Sequence, residues 1–231
     1  MLPPFRASSV IFDLDGTLVD TAPDLTAALN HVLLAAGGTP LAPHEVRHMV
    51  GQGARALIER GIAANGDRLA DADHEAMLAA FLRYYATHIA DYGRPFDGAA
   101  AVLQRLAAAG LQLGICTNKP QALALALLDA IGLRHHFAAI VGADAAPEKK
   151  PHPAHLTAVL SALGRDGPAV MVGDSPTDVA AARACGMPVI LVDYGYSRVP
   201  AAALGADAVI SRLDALEALL CPMAARKGEG A

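Results

Sequence analysis

Ser9-Val10-Ile11-Phe12-Asp13-Leu14-Asp15-Gly16-Thr17-Leu18-Val19-Asp20 opens as a short apolar run and breaks into acids, a glycine and a hydroxyl. A run this short and rich in β-branched residues reads as a strand buried on both faces, ending at a polar turn. Three later stretches repeat the pattern: Leu111–Cys116, Ala138–Val141 and Ala169–Val172. Pro188–Val192 and Ala208–Ile210 read as further strands. Helical segments are expected between them at 98–109, 120–131, 152–163 and 176–185, with 212–220 closing the fold. Gly110, Gly132, Gly164 and Gly186 each stand just past one of these segments, where a helix C-terminus favours glycine. The expected fold class is therefore α/β, with a doubly wound parallel sheet.

Residues 18–95 follow another pattern. Helical periodicity is expected at 22–36, 42–50, 52–63 and 71–91, with no strand between. That is too long for an ordinary crossover, so this stretch reads as an inserted helical domain. The boundaries are then 1–17 and 96–231 for the core and 18–95 for the insert. Hinges are expected near Val19–Asp20 and Arg94–Gly98, and 224–231 reads as a frayed tail.

Composition narrows the function classes. The 231 residues are 54% hydrophobic and 18% charged, with a net charge of −5. Mean hydropathy is +0.35, yet Gln, Arg, Asp or Gly interrupt every apolar run before it reaches membrane-spanning length. Only four lysines are present, Lys119, Lys149, Lys150 and Lys227, and no basic stripe suggests nucleic acid. Cys116, Cys185 and Cys221 show no CxxC spacing and imply neither a disulfide framework nor zinc. Without a signal-like N-terminus, a cytoplasmic protein is expected, as a monomer or homodimer.

Ligands of open α/β sheets bind outside the carboxyl ends of the strands. The residues following the apolar runs are Asp13 and Asp15, then Thr117-Asn118-Lys119, then Lys149-Lys150-Pro151, then Asp174 and Asp178. Carboxylates gathered at one edge repel one another unless a cation stands among them. Mg²⁺ fits oxygen ligands of this kind, with Asp13 and Asp174 as side-chain ligands and a backbone carbonyl at Asp15. Asp13 can serve as nucleophile to phosphorus, and Asp15 as general acid and base. Thr117 and backbone N–H groups near Gly16 and Asn118 are candidate phosphoryl ligands, and Lys150 supplies positive charge. Asp178 is expected behind Lys150, orienting it. In the insert, Val50-Gly51-Gln52-Gly53 is a candidate substrate loop, with Arg55 a candidate for a substrate carboxylate. The histidines are expected to be solvated or capping, and Cys116 a buried small hydrophobe.

Asp13-Leu-Asp15-Gly-Thr17, Thr117-Asn118, Lys150-Pro151 and Gly173-Asp174-x-x-x-Asp178 together resemble the four motifs of the haloacid dehalogenase-like superfamily, in order. The resemblance implies a Rossmann-like core, Mg²⁺, an aspartyl-phosphate intermediate and a C1-type cap for the helical insert. It also selects Lys150, directly before Pro151, over Lys149. Asp20-Thr21-Ala22-Pro23-Asp24-Leu25, Val50-Gly51-Gln52-Gly53, Thr117-Asn118-Lys119-Pro120 and Tyr194-Gly195-Tyr196 look like phosphoglycolate phosphatases. Gly142-Ala143-Asp144-Ala145-Ala146-Pro147 and His152 depart from that group's usual Gly-Gly-Asp-x-x-Pro and Lys-Pro-Asp-Pro. The implied reaction is hydrolysis of a small phosphorylated metabolite, 2-phosphoglycolate first. Another sugar or amino-sugar phosphate, or a sugar phosphomutase reaction, is the alternative. Asp15 argues against a dehalogenase, and the absence of lysine from 18–95 against Schiff-base phosphonate hydrolysis.

Overall fold

A computed structural model describes residues 5–164 and 166–223. Six parallel strands form the main sheet: β1 (Ser9–Phe12), β2 (Gln112–Cys116), β3 (Ala139–Val141), β4 (Ala169–Gly173), β5 (Val189–Val192) and β6 (Ala208–Ile210). Their spatial order is β3-β2-β1-β4-β5-β6. The chain starts at the centre, winds out one way, returns and winds out the other. That reversal beside β1 is the Rossmann-like switch point, where ligands of such sheets gather.

The alternation of side chains along β1 shows why its residues are apolar throughout. Val10 and Phe12 enter one hydrophobic cluster with Leu113, Ile115, Val170 and Val172. Ile11 points to the opposite face, among Met171, Val189 and Leu191. Helices α5 (Ala99–Ala108) and α6 (Gln121–Ala130) cover the first face, through residues such as Leu103 and Leu127. Helices α7 (Pro153–Leu163) and α8 (Pro176–Ala184) cover the second, through Leu156, Val159 and Ala181. Each fully buried Ile, Leu or Phe in these layers contributes about 1.5–3 kcal/mol.

Between β1 and α5 lie the cap helices, α1 (Ala22–Ala35), α2 (Pro43–Arg47), α3 (Ala54–Asn65) and α4 (His74–Thr87). They enclose a cluster of their own, with Leu29 and Leu33 of α1, Ile58 of α3, and Phe81 and Tyr85 of α4. Leu123 of α6 joins this cluster from the core side. The chain enters the cap at Val19–Asp20 and leaves at Arg94–Pro95, and these segments pair antiparallel, Val19 opposite Pro95 and Asp20 opposite Arg94. The Asp24 carboxylate secures the exit by accepting the N–H groups of Tyr92 and Gly93 at 2.9 and 2.8 Å.

Three elements differ from expectation, the first being the paired short strands Val19–Asp20 and Arg94–Pro95 inside the stretch expected to hold none. The helix expected at 42–50 ends at Arg47, and Gly51 and Gly53, at φ +113° and +92°, turn the following residues into a loop over the core. The closing helix expected at 212–220 shrinks to a 3₁₀ turn at Leu213–Ala215 and one helical turn at Leu216–Leu219. Leu220–Pro222 then pairs in parallel with Phe5–Ala7, where Leu220 is buried in the core. Segments of three residues carry too little periodicity to be seen as strands. The expected tail at 224–231 lies outside the described residues.

Candidate active site

β1 delivers Asp13 directly to the edge of the sheet. Its N–H still bonds Val172 C=O at 2.9 Å, the last rung beside β4. Beyond it the Leu14 carbonyl accepts the N–H groups of Thr17, Leu18 and Val19, and the Gly16 N–H closes on Val19 C=O at 2.9 Å. Gly16 sits at φ +84°, and a Cβ there would fall 2.7 Å from Asp174 Oδ2. Only glycine fits such a turn at such an approach. The Gly16 N–H is engaged with Val19, so this residue shapes the turn that presents the acids.

Lys150, not Lys149, reaches Asp13. Its Nζ lies 3.0 Å from Asp13 Oδ1 and donates to Asp178 Oδ1 at 2.7 Å. Lys149 instead donates to Gln52 C=O at 2.9 Å. Lys150 is held at both backbone ends: its N–H donates to His155 Nδ1 at 3.1 Å, and its C=O accepts Asn118 Nδ2 at 3.0 Å. His155 Nε2 donates in turn to Val141 C=O at 3.1 Å. This completely buried histidine therefore corrects the expectation that the histidines are solvated or capping. His152 does cap α7, accepting Ala154 N–H at 3.2 Å.

Asp178 is fully engaged. Oδ1 faces Lys150, and Oδ2 accepts Asp174 N–H, Ser175 N–H and the Ser175 hydroxyl at 3.2, 3.0 and 2.6 Å. Asp174 accepts the Thr17 hydroxyl at 2.9 Å and Tyr196 N–H at 2.7 Å. Asp13, Asp174 and Asp178 bring carboxylate oxygens within 4.8 Å of one another, all buried. Burial pushes Asp13 up to about 8, against the pull of Lys150, and Asp174 up to about 7. Three buried acids around one ammonium hold excess negative charge, which a hard divalent cation relieves. With Asp178 occupied, Asp13 and Asp174 are the side chains fitted to hold Mg²⁺. The Asp15 carboxylate lies outside this cluster.

The Asp15 carboxylate accepts the Thr21 hydroxyl at 2.7 Å and Lys119 Nζ at 2.9 and 3.2 Å. Lys119 is itself buried, with its ammonium 4.6 Å from the centre of the Tyr85 ring. A cavity of about 40 Å³ lies here, lined by Asp13, Asp15, Thr117, Asn118 and Lys119 from the core and by Leu57, Phe81 and Tyr85 from the cap. Asp15 also borders a wider cleft of about 210 Å³ that reaches Asp174 and Tyr196. The cap rests on the core through its loop: Gly51 C=O accepts Asn118 Nδ2 at 3.0 Å, and His48 Nδ1 donates to Tyr196 C=O at 3.0 Å.

Asp13, Lys150, Asp174 and Asp178 thus form one cluster, with Asp15, Thr117 and Asn118 lining the adjoining cavity. Arg55 stands apart. Its guanidinium pairs with both oxygens of Glu75, at 2.5 and 3.0 Å, on the exposed side of the cap. Lys119, Tyr85 and Tyr196 are site residues that the sequence reading left without a role. Lys119 carried a signal, as one of four lysines and the next residue after Thr117-Asn118. Tyr196 carried one through the Tyr194-Gly195-Tyr196 stretch, whereas Tyr85 carried none beyond ordinary helix composition.

Residues 10–192 match the family of haloacid dehalogenase-like hydrolases. A phosphoglycolate phosphatase of Caulobacter vibrioides is 48% identical over 210 residues, covering 90% of this chain and 89% of its own. That of Rhodospirillum rubrum is 50% identical over 206 residues, covering 87% and 86%. The crystal structure of a predicted phosphoglycolate phosphatase from Haemophilus somnus superposes with a TM-score of 0.86 at 29% identity, covering 92% of this chain and 97% of that one. The matched span runs from β1 to the end of β5 and so contains every member of the acidic cluster. The chain belongs to the haloacid dehalogenase-like hydrolases.

Proposed function

We propose that this phosphoric monoester hydrolase converts 2-phosphoglycolate to glycolate and phosphate with Mg²⁺, through an aspartyl-phosphate on Asp13. The observation that carries the reading is the pair of acids on one turn with different surroundings. Asp13 lies among acids at the sheet edge, 3.0 Å from Lys150, whereas Asp15 faces the cap and the cavity. In this reading an Asp13 oxygen attacks phosphorus and the P–O ester bond breaks. Asp15 protonates the departing alkoxide, then takes a proton from the water that hydrolyses the acyl phosphate. Thr117 and Lys150 stabilise charge on the phosphoryl oxygens. Mg²⁺, when bound at Asp13 and Asp174, supplies charge neutralisation to the phosphoryl group.

Relatives named phosphoglycolate phosphatase support the substrate. The test is kcat/KM for phosphate release across small esters. A preference above about a hundredfold for 2-phosphoglycolate supports the reading, whereas a sugar-phosphate preference keeps the chemistry and overturns the substrate. Phosphoryl exchange between sugars without net release points to a mutase.

A further inference from the structure

We propose that Lys119 and Tyr85 form a subsite for the substrate's carboxylate, an inference that rests on the phosphatase reading above and names the group it recognises. Lys119 is the only cationic side chain among the described residues lining the cavity beside Asp15. Its side chain is 3% exposed, so its charge is directed into the protein and not into solvent. Tyr85 lines the same cavity, and its buried hydroxyl has no hydrogen-bond partner. The Lys119 ammonium lies 4.6 Å from the centre of the Tyr85 ring, close enough that the two groups also interact electrostatically. Burial pushes the phenol up to about 12, which keeps it a neutral donor.

A charged donor and a neutral donor therefore border one small space whose cap side also includes Leu25, Leu57, Phe81 and the Val50–Ala54 segment. Buried donors are normally satisfied, so an orphaned hydroxyl beside an ammonium calls for a ligand with more than one acceptor oxygen. A carboxylate has that form, and a sugar hydroxyl does not. Placement agrees as well. In 2-phosphoglycolate the carboxylate is carried on the carbon bonded to the ester oxygen. A substrate whose ester oxygen meets Asp15 therefore presents its carboxylate to the neighbour of Asp15, and that neighbour is Lys119, 2.9 Å away. An ester without the carboxylate leaves both donors unpaired, the situation in which polar sites discriminate strongly.

The experiment compares wild type, Lys119→Met and Tyr85→Phe on 2-phosphoglycolate and on ethyl phosphate. The readout is the ratio of the two kcat/KM values, which cancels any general damage done through Asp15. The ratio is expected to fall about a hundredfold in Lys119→Met and about tenfold in Tyr85→Phe. An unchanged ratio, with both esters losing equally, overturns the subsite and leaves Lys119 as the partner of Asp15. Where Lys119→Met does not fold, Tyr85→Phe decides alone, because it removes a single oxygen. Calorimetric binding of 2-phosphoglycolate to an Asp13→Asn enzyme separates this inference from the reading beneath it. If wild type releases phosphate from neither ester, the phosphatase reading fails. The subsite then stands if Lys119→Met or Tyr85→Phe weakens that binding at least about tenfold, and falls if both leave it unchanged.

Discussion

The backbone N–H of Tyr196 donates to Oδ2 of Asp174 at 2.7 Å, while the phenol of the same residue donates to Asp20 Oδ1 at 2.6 Å. The phenol oxygen also accepts Ala22 N–H at 3.0 Å, at the start of the first cap helix. Arg47 of the cap lies 4.9 Å over the ring. One residue thus ties a carboxylate fitted for metal to the crossing into the cap. Tyr196→Phe keeps the bond to Asp174 and leaves the buried Ala22 N–H without its acceptor. A loss of about 1–3 kcal/mol in stability is expected, with a raised KM because the cap closes less readily and Mg²⁺ affinity nearly unchanged. Urea melts and steady-state kinetics measure both; unchanged stability and KM would remove the hinge role.

Gly195 faces the same carboxylate from the other side. A Cβ built there would lie 2.1 Å from Asp174 Cβ, a distance that no side-chain rotation relieves. Gly195→Ala is therefore expected to displace Asp174 and weaken Mg²⁺ binding about 10–100-fold, the range seen when the support of a metal ligand is disturbed. Calorimetric titration of Mg²⁺ into the folded variant measures this directly. Wild-type affinity would mean that Asp174 is not a ligand.

Asp178 is the counter-charge of a wholly buried lysine and the acceptor of three further donors. Removing Asp178 leaves the buried ammonium with only Asp13 beside it and orphans three further donors, and a buried network broken in this way costs more than it contributes intact. Asp178→Ala is expected to lose about 3–5 kcal/mol in denaturant unfolding. A loss below about 1 kcal/mol would place Asp178 among the weakly coupled, water-accessible acids.

How much of this was legible in the sequence depended on the range of the signal. β1 could be read from Val10-Ile11-Phe12 because burial on both faces demands apolar residues at every position. The cluster of Asp13, Lys150, Asp174 and Asp178 was legible because Asp13 and Asp174 stand at the ends of apolar runs, while Lys150 and Asp178 lie in the loop or helix that follows such a run. The Tyr85 hydroxyl was not, since its position on α4 is that of an ordinary core aromatic and its meeting with Lys119 depends on how the cap docks. His155 was obscured likewise: it occupies an apolar position of α7, and only the folded loop brings Lys150 N–H to its ring. Leu220–Pro222 forms a strand only because Phe5–Ala7 lies alongside, a pairing across the whole chain that no local window contains.

Arg55 is the residue on which sequence and structure diverge most. Its guanidinium is committed to Glu75, outside the cavity, and both side chains are more than half exposed. Arg55→Ala is expected to leave kcat/KM for 2-phosphoglycolate within about twofold, since exposed ion pairs contribute little. A drop beyond about tenfold, carried by KM, would mean that the cap rearranges to bring Arg55 onto the substrate.

His155 sets a distinct dependence on pH. The Lys150 N–H can only donate, so His155 Nδ1 is the acceptor and its proton sits on Nε2, facing Val141 C=O. Burial, with the nearby Lys150 charge, lowers the ring from 6.5 to about 4. A group lowered in the folded state takes up its proton first in the unfolded chain. Its contribution is therefore fully present above pH 6.5 and declines as the pH falls from there towards 4. Asp13 and Asp174, raised by burial, run the other way without metal, so the His155 effect is read as a difference between enzymes. Wild type is expected to lose its stability advantage over His155→Gln progressively between pH 6.5 and 4, followed by thermal melts at fixed ionic strength. Nitrogen-detected NMR at pH 6 is expected to show His155 as the neutral Nε2–H tautomer. A ring already protonated at that pH would break the bond to Lys150, and the predicted difference between the two melting curves would vanish.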